Sequence, residues 1–322
     1  MNTTLKAAKH PGHRTRTGAR PRTGPRTGAP RQSGTLTHPP RTGLLLVSPA
    51  VLFVLVFVFA PLVVALFISL TDFPLIGPYH FVGLKNYATA WSDPVFGRSI
   101  LYTLLYTALV TPPILALGYG LAVLVRSNRR GATLLRTIFF LPFVIGLSTI
   151  SFVTFLEAQP TSGTLNTILE SLGITDGTTP WLTDGPLATG LIVVMVIWGT
   201  SGLTMVLLMS AMQGIPQEVY ESAELDGAGW WRTERHITLP MVRRAIALST
   251  VISVIGSLLA FPQFYVLTQG GPGSETTTAV MSLYRRAFVD LQLGASSAMS
   301  LILVAIIAVI AALQFWLLRE KD

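Results

Sequence analysis

Six stretches of the chain carry no Asp, Glu, Lys, Arg or His over at least the ~20 residues that a membrane-crossing helix requires. They are Leu44–Thr71, Ser99–Val125, Thr137–Leu156, Gly185–Gln217, Ala245–Ser274 and Leu291–Leu318, separated by short polar segments. The fourth and fifth exceed one crossing, so part of each belongs to a boundary or a loop. The third is the shortest and contains Pro142, which a membrane helix tolerates where neighbours satisfy the carbonyl it frees. The pattern predicts an all-α integral membrane protein of six transmembrane helices.

Composition agrees. Of the 322 residues, 50% are hydrophobic and 12% charged, about half the charge of an ordinary soluble domain. The net charge of +8 is a property of one segment, because nine Lys/Arg and no acid lie in residues 1–43. There "RTG" recurs at Arg16, Arg22, Arg26 and Arg41 among Pro, Ser and Gly, a composition that cannot bury a core. Residues 1–43 are thus expected to be a disordered basic tail brushing anionic membrane lipid, with no nucleic-acid partner. The first apolar run is too long for the h-region of a secretory signal. With no cysteine and five scattered histidines, no metal site is expected.

Lys and Arg in short loops set the orientation. The tail and the loop holding Arg126, Arg129, Arg130 and Arg136 are basic and free of acids, which predicts a cytoplasmic location. The loop after the third run has Glu157, Glu170, Asp176 and Asp184 without a cation, and goes outside together with residues 72–98. Both termini then lie in the cytoplasm, as does the polar stretch "EVYESAELDGAGWWRTERHITLP", residues 218–240.

That stretch reads as a docking element. Pro216 suits a first helical position, Glu218 and Glu221 complement the helix dipole, and Gly227 supplies a stop, giving a helix of about three turns over residues 216–226. Val219, Tyr220 and Ala223 form a narrow apolar stripe that could enter a groove on another protein. Trp230 and Trp231 beside Arg232 and Arg235 fit a segment lying along lipid headgroups. Pro240 could then open the fifth span.

The spacing of Glu221-Ser222-Ala223, Gly227 and Ile237-Thr238-Leu239-Pro240 closely resembles the "EAA…G…I-LP" loop of permease subunits of binding-protein-dependent ABC importers, with Ser222 replacing an alanine. "FVGLKNY" (Phe81 to Tyr87) is similar to an external motif of the carbohydrate-uptake branch, and "LTQGGPGSETTT" (Leu267 to Thr278) to one of its MalF-like or UgpA-like permeases. The resemblance implies a permease domain over residues 44–322 with a coupling loop at about 214–240. In it Glu218, Glu221, Ser222, Ala223, Asp226, Gly227 and Pro240 would serve coupling to an ATPase. It also implies a second, MalG-like permease, two ATPase subunits that hold ATP and Mg, and an extracytoplasmic solute-binding protein. This chain itself would bind no cofactor.

The absence of G-x-x-x-x-G-K-[ST] agrees, since no P-loop is present to hold ATP phosphates. No acid or histidine within the six runs offers ion coupling of the kind secondary carriers use. A membrane enzyme would need a nucleophile, metal ligands or a carboxylate pair at membrane depth, and the runs contain none. For the substrate path the sequence offers Trp198, Thr200 and Ser201 in the fourth run, and Ser253, Ser257, Gln263 and Tyr265 in the fifth. Aromatic faces pack on sugar rings while hydroxyls and amides bond to sugar hydroxyls, although small hydroxyl residues also serve helix packing. No cation occupies any run, which favours a neutral sugar or oligosaccharide over glycerol 3-phosphate.

Reporter fusions test the orientation. A fusion after Arg130 is expected to report inside and one after Gly177 outside; the same side for both defeats the six-span arrangement.

Overall fold

The computed structural model describes residues 40–74, 77–126 and 131–318. Residues 1–39 of the expected tail, and Arg129 and Arg130 of the expected cytoplasmic loop, lie outside the described residues. The first helix already includes Pro40–Gly43, so it starts inside the segment that composition assigned to the tail. The chain divides into two units, Met1–Phe53 and Val54–Asp322. The first contributes helical chain from Pro40 onward, and the second holds the remaining helices.

In chain order the helices are α1 (Pro40–Val54), α2 (Ala60–Ser69), α3 (Lys85–Ser92), α4 (Pro94–Val125), α5 (Ala132–Ile145), α6 (Leu147–Glu157) and α7 (Thr164–Ser171). There follow α8 (Gly185–Gln213), α9 (Gln217–Leu225), α10 (Trp230–Thr233), α11 (Leu239–Met241), α12 (Arg243–Leu258), α13 (Pro262–Leu267), α14 (Ala279–Phe288) and α15 (Leu293–Leu318). Five stretches are long and apolar enough to cross a membrane: Leu45–Ser69, Pro94–Val125, Gly185–Gln213, Arg243–Leu267 and Leu293–Leu317. The bent pair α5–α6 supplies a sixth if taken as one span.

That pair departs from the expected single helix by a bend of 92°. Pro142 stays within α5; the break falls at Gly146, with φ +88° and ψ 147°, a conformation open to glycine and closed to most side chains. The second break, between α12 and α13, follows from Pro262, which has no N–H to continue the ladder. The carbonyl of Ala260 is answered there by the Thr278 hydroxyl at 2.9 Å.

Polar caps fix where several helices begin. Asp93 accepts from Val95 N at 2.8 Å and Phe96 N at 3.3 Å with Pro94 following, so α4 starts five residues before the charge-free run at Ser99. Asp184 caps α8 by accepting from Leu187 N at 2.9 Å, and Thr278 caps α14 by accepting from Met281 N at 3.2 Å. The two loop motifs are local fasteners. Asn86 of "FVGLKNY" donates to Ser69 O at 2.8 Å and Thr71 O at 2.7 Å, closing the end of α2. In "LTQGGPGSETTT", Thr276 donates to Gly271 O at 2.6 Å and Thr277 to Gly270 O at 3.1 Å, so the turn after α13 satisfies its own backbone.

The interior is an α4–α8 sandwich flanked by α5, α6, α12 and α13. One core cluster gathers Tyr106, Val110, Ile192, Val196 and Phe264; a second gathers Leu121, Val125, Met205, Leu208 and Val242. Where helices press closest, side chains vanish: a Cβ at Gly202 would collide with Phe139 O, and one at Gly118 would sit 2.5 Å from Thr204 Cγ2. Small residues allow such approach between membrane helices.

Gly202→Val is therefore expected to separate α8 from α5 and destabilise the fold by at least the ~1–3 kcal/mol of an overpacked core. The readout is a lower yield and lower thermal midpoint of the purified protein. Gly190→Ala, with nothing within 4 Å of the added carbon, is the control and should be neutral or slightly stabilising.

Candidate functional site

α9 follows α8 after a short connection through Gly214, Ile215 and Pro216. Pro216 is its N-cap, with ψ 138°, and not its first helical residue. Glu218 occupies the first turn; Glu221 accepts from Gln217 Nε2 at 2.8 Å, and Ser222 donates to Glu218 O at 2.8 Å. The helix ends in a Schellman motif: Ala228 N–H donates to Ala223 O at 2.9 Å and Gly227 N–H to Glu224 O at 3.0 Å. Gly227, just past Asp226, has φ +73° as that motif requires.

The expected use of the two faces is reversed. Ala223 is buried, and Val219 and Tyr220 are half-buried, so the apolar stripe packs inward on the chain itself. The face left open holds Glu218, Glu221, Ser222, Glu224 and Asp226, with Leu225 89% exposed beside them. An acidic surface with one large apolar side chain suits a partner offering cations around a small apolar pocket.

Behind α9 three segments meet. Arg126, at the C-terminal end of α4, pairs with Glu234, and the Tyr119 hydroxyl donates to the other oxygen of that carboxylate at 3.1 Å. Glu234 opens and Thr238 closes a π-helical turn between α10 and α11. The Arg126 guanidinium also lies 5.4 Å from the centre of the Tyr220 ring, and the Tyr220 hydroxyl is 3.3 Å from Thr238 Oγ1. From α5, Arg136 Nε donates to Val125 O at 3.0 Å, placing a cation at the negative end of α4. Pro240 falls within α11, and the fifth spanning helix begins only at Arg243, after the turn at Val242, rather than at Pro240.

Further along α4, a cavity of about 220 Å³ opens between α4, α5, α6, α8, α12 and α13. Its polar lining is Tyr106, Thr200, Thr204, Ser249, Ser253, Ser257 and Gln263, and no charged residue lines it. Gln263 is 2% exposed; its Nε2 donates to the Tyr106 hydroxyl at 3.2 Å, while its Oε1 and the Ser249 hydroxyl have no partner among the described residues. Phe264 packs edge-on against Tyr106, with ring centres 5.0 Å apart and planes at 82°, which fixes the tyrosine that holds Gln263. The cavity offers short hydroxyls and a free carbonyl oxygen on an otherwise apolar wall.

A membrane-spanning helix array, a capped polar helix at one end and an uncharged polar cavity within it coincide with a known family. The model of the binding-protein-dependent transport system inner membrane component matches residues 114–321. The chain belongs to this family. A protein of Pyrococcus horikoshii named as a probable ABC transporter permease is 34% identical over 276 residues, 85% of this chain and 94% of that one. The diacetylchitobiose uptake system permease of Streptomyces coelicolor is 33% identical over 272 residues, 81% of this chain and 77% of its own. The crystal structure of a bacterial ABC transporter involved in alginate import contains a chain that superposes with a TM-score of 0.76 at 21% identity. It covers 88% of this chain and 97% of that one and shows the fold.

For this permease, then, the cavity gathers four of the seven residues expected on the substrate path: Thr200, Ser253, Ser257 and Gln263. Trp198 is 49% exposed on the outside of α8, and Ser201 is fully buried with its hydroxyl on Trp198 O at 3.4 Å. Tyr265 lines a separate depression and stacks on Phe261, with centres 5.3 Å apart at 26°. Sequence reasoning missed Ser249 and Thr204, although Ser249, Ser253 and Ser257 repeat every four residues, the signature of one helix face. Tyr106 gave no signal. Arg126, Glu234 and Tyr119 were missed as a group because their partners lie more than a hundred residues apart.

Gln263→Leu removes one hydrogen bond and one unpartnered oxygen together, so its effect on stability should stay within about 2 kcal/mol. Phe264→Ala, which empties the core beside it, is expected to lose ~3–5 kcal/mol. Paired denaturation curves of the purified variants check the difference.

Proposed function

We propose that this permease forms half of the translocation path for a neutral sugar or oligosaccharide, and that α9 couples that path to ATP hydrolysis on a separate ATPase subunit. The observation that carries the reading is the cavity. Its hydroxyls and the Gln263 carbonyl oxygen suit the many weak donors and acceptors of a sugar, and the apolar remainder suits the faces of its rings. A phosphate or carboxylate would call for Arg, Lys or a helix N-terminus, and the lining holds no cation. The similarity to a diacetylchitobiose permease supports the substrate class. At about 220 Å³ the cavity is smaller than the ~300–1,000 Å³ of ordinary small-molecule sites, as expected if a second, MalG-like permease supplies the facing wall.

In this reading α9 and both termini are cytoplasmic. Glu218, Glu221, Ser222 and Asp226 meet the ATPase, Ala223 and Gly227 shape the helix and its end, and Pro240 belongs to its connection with α12. ATP and Mg are bound by two ATPase subunits, and an extracytoplasmic binding protein delivers the sugar. The permease holds no ATPase site of its own.

The experiment compares Gly227→Val, Glu221→Ala and Gln263→Leu in the reconstituted complex. A β-branched residue forced to φ +73° strains the Schellman turn by at least the ~1–2 kcal/mol of a left-handed residue, so Gly227→Val is expected to abolish both transport and the ATPase stimulation given by liganded binding protein. Glu221→Ala is expected to lower both partially. Gln263→Leu should impair transport while the complex still assembles. Full stimulation and transport by Gly227→Val would remove α9 from the coupling role.

A further inference from the structure

We infer that Arg126, Glu234, Tyr119, Tyr220 and Thr238 form a charged latch that locks α9 to α4, so that displacement of the docking helix moves the cavity wall as one body. The inference rests on the reading of α9 as the ATPase-docking helix and adds how its motion is passed on.

The chemistry of the cluster is specific. The Glu234 side chain is 6% exposed and that of Arg126 23%, so both charges are largely withdrawn from solvent. A buried ion pair contributes little net stability, because desolvation offsets its attraction, yet it defines one geometry and penalises every other. Each member comes from a different part of the machine. Tyr119 and Arg126 belong to α4 and its end, Tyr220 to α9, and Glu234 and Thr238 to the π turn between α10 and α11.

Both oxygens of Glu234 are engaged by α4, one by Arg126 and one by Tyr119. Arg126 in turn sets its guanidinium carbon 5.4 Å from the centre of the Tyr220 ring while Nη2 holds the carboxylate, two contacts at once that suit the broad guanidinium better than a lysine ammonium. The π turn places two buried polar side chains, Glu234 at its start and Thr238 at its end, against this group. Such widened turns inside helices recur at functional sites.

The other end of the lever is visible in the same helix. α4 continues from Arg126 without interruption to Tyr106 and Ile114, which line the cavity, and Tyr106 holds Gln263. Arg136 of α5 fastens the Val125 carbonyl at the base of α4, and Phe143 of α5 is also in the lining. A push on α9 therefore reaches the cavity through packed helix rather than through loop.

This chain contains no cysteine, so labels can be placed on it at chosen positions. Spin labels are placed by Leu225→Cys on the exposed face of α9 and Leu117→Cys on α4, in the complete transporter in lipid nanodiscs. Their separation is measured by pulsed electron paramagnetic resonance without nucleotide and after trapping with Mg-ATP and vanadate. The latch gives one narrow distance that is unchanged by trapping. Glu234→Ala and Glu234→Gln should broaden the distribution and let its centre shift on trapping. The exchange Arg126→Glu with Glu234→Arg should narrow it again, a rescue that a merely structural role does not predict.

A wild-type distance that shifts on trapping as much as in Glu234→Gln overturns the latch, as does a distribution left narrow by that substitution. If Glu234→Ala fails to assemble, Glu234→Gln and the exchange decide. The Leu225 label alone separates this from the docking reading. A label that stays mobile when the ATPase subunits are present overturns docking by α9, while the width of the α9–α4 distance still decides the latch.

Discussion

The apolar core of a membrane gives a backbone carbonyl no water to bond with, so every interruption of a spanning helix has to be answered by the protein itself. The break between α12 and α13 shows how far that requirement shapes this chain. Thr278 answers the exposed carbonyl of Ala260 and also caps α14, while Thr103 on α4 accepts from Ala279 N at 2.9 Å. Thr276 and Thr277 close the turn that brings Thr278 back into position. With the break satisfied, α13 can start at Pro262 and turn Gln263 toward Tyr106. The free Gln263 oxygen at the cavity is thus held in place by a threonine run thirteen to fifteen residues downstream of it.

Much of this was legible in the sequence, for physical reasons that can be named. Absence of charge over a crossing length locates membrane helices, because burying an unpaired charge in lipid is so unfavourable. The same criterion misplaces helix ends: α4 begins at an Asp93 cap and carries Arg98, both outside the charge-free run. Gly227 was readable because only glycine enters the turn that ends α9 without strain. The direction of the α9 stripe was not. Periodicity identifies which residues share a face, but whether that face meets the chain itself or a partner depends on the segment around Glu234 and Thr238. Likewise Pro142 is a visible breaker, yet Gly146 makes the bend, since neighbouring helices accommodate a proline while a φ of +88° redirects the chain outright.

α4 is the element that both regions share. Its lower end carries the Arg126–Glu234 pair behind α9, and its middle packs on α8 through Gly118, where the approach of Thr204 leaves no space for a side chain. Thr204 itself lines the cavity. Close packing of this kind transmits displacement because interiors have little compressible volume. Its hydroxyls are disposed accordingly: Ser99, Thr103 and Thr107 each donate to a carbonyl three or four residues back, and Thr103 also accepts from Ala279 N. Thr111 Oγ1 on α4 is buried without a hydrogen-bond partner, as are the Ser249 hydroxyl and Gln263 Oε1 at the cavity.

Burial is unevenly distributed among the spans. The most apolar window of α8 is 50% buried within this chain, against 28% for the span containing α12 and α13 and 17% for α15. An outer helix facing only lipid has no reason to be polar, yet α12 carries Ser249, Ser253 and Ser257 at intervals of four, together with Gly256. Small and hydroxyl-bearing stripes are what membrane helices use to approach one another and to bond across an interface. Ser249 and Ser257 are buried, so the polar stripe of α12 faces the interior of this chain, and the cavity it borders is small for a sugar. In the proposed function that cavity is one wall of a path whose other wall belongs to a second permease. In that arrangement the latch behind α9 would bring α4, and the cavity residues fastened to it, toward or away from that facing wall.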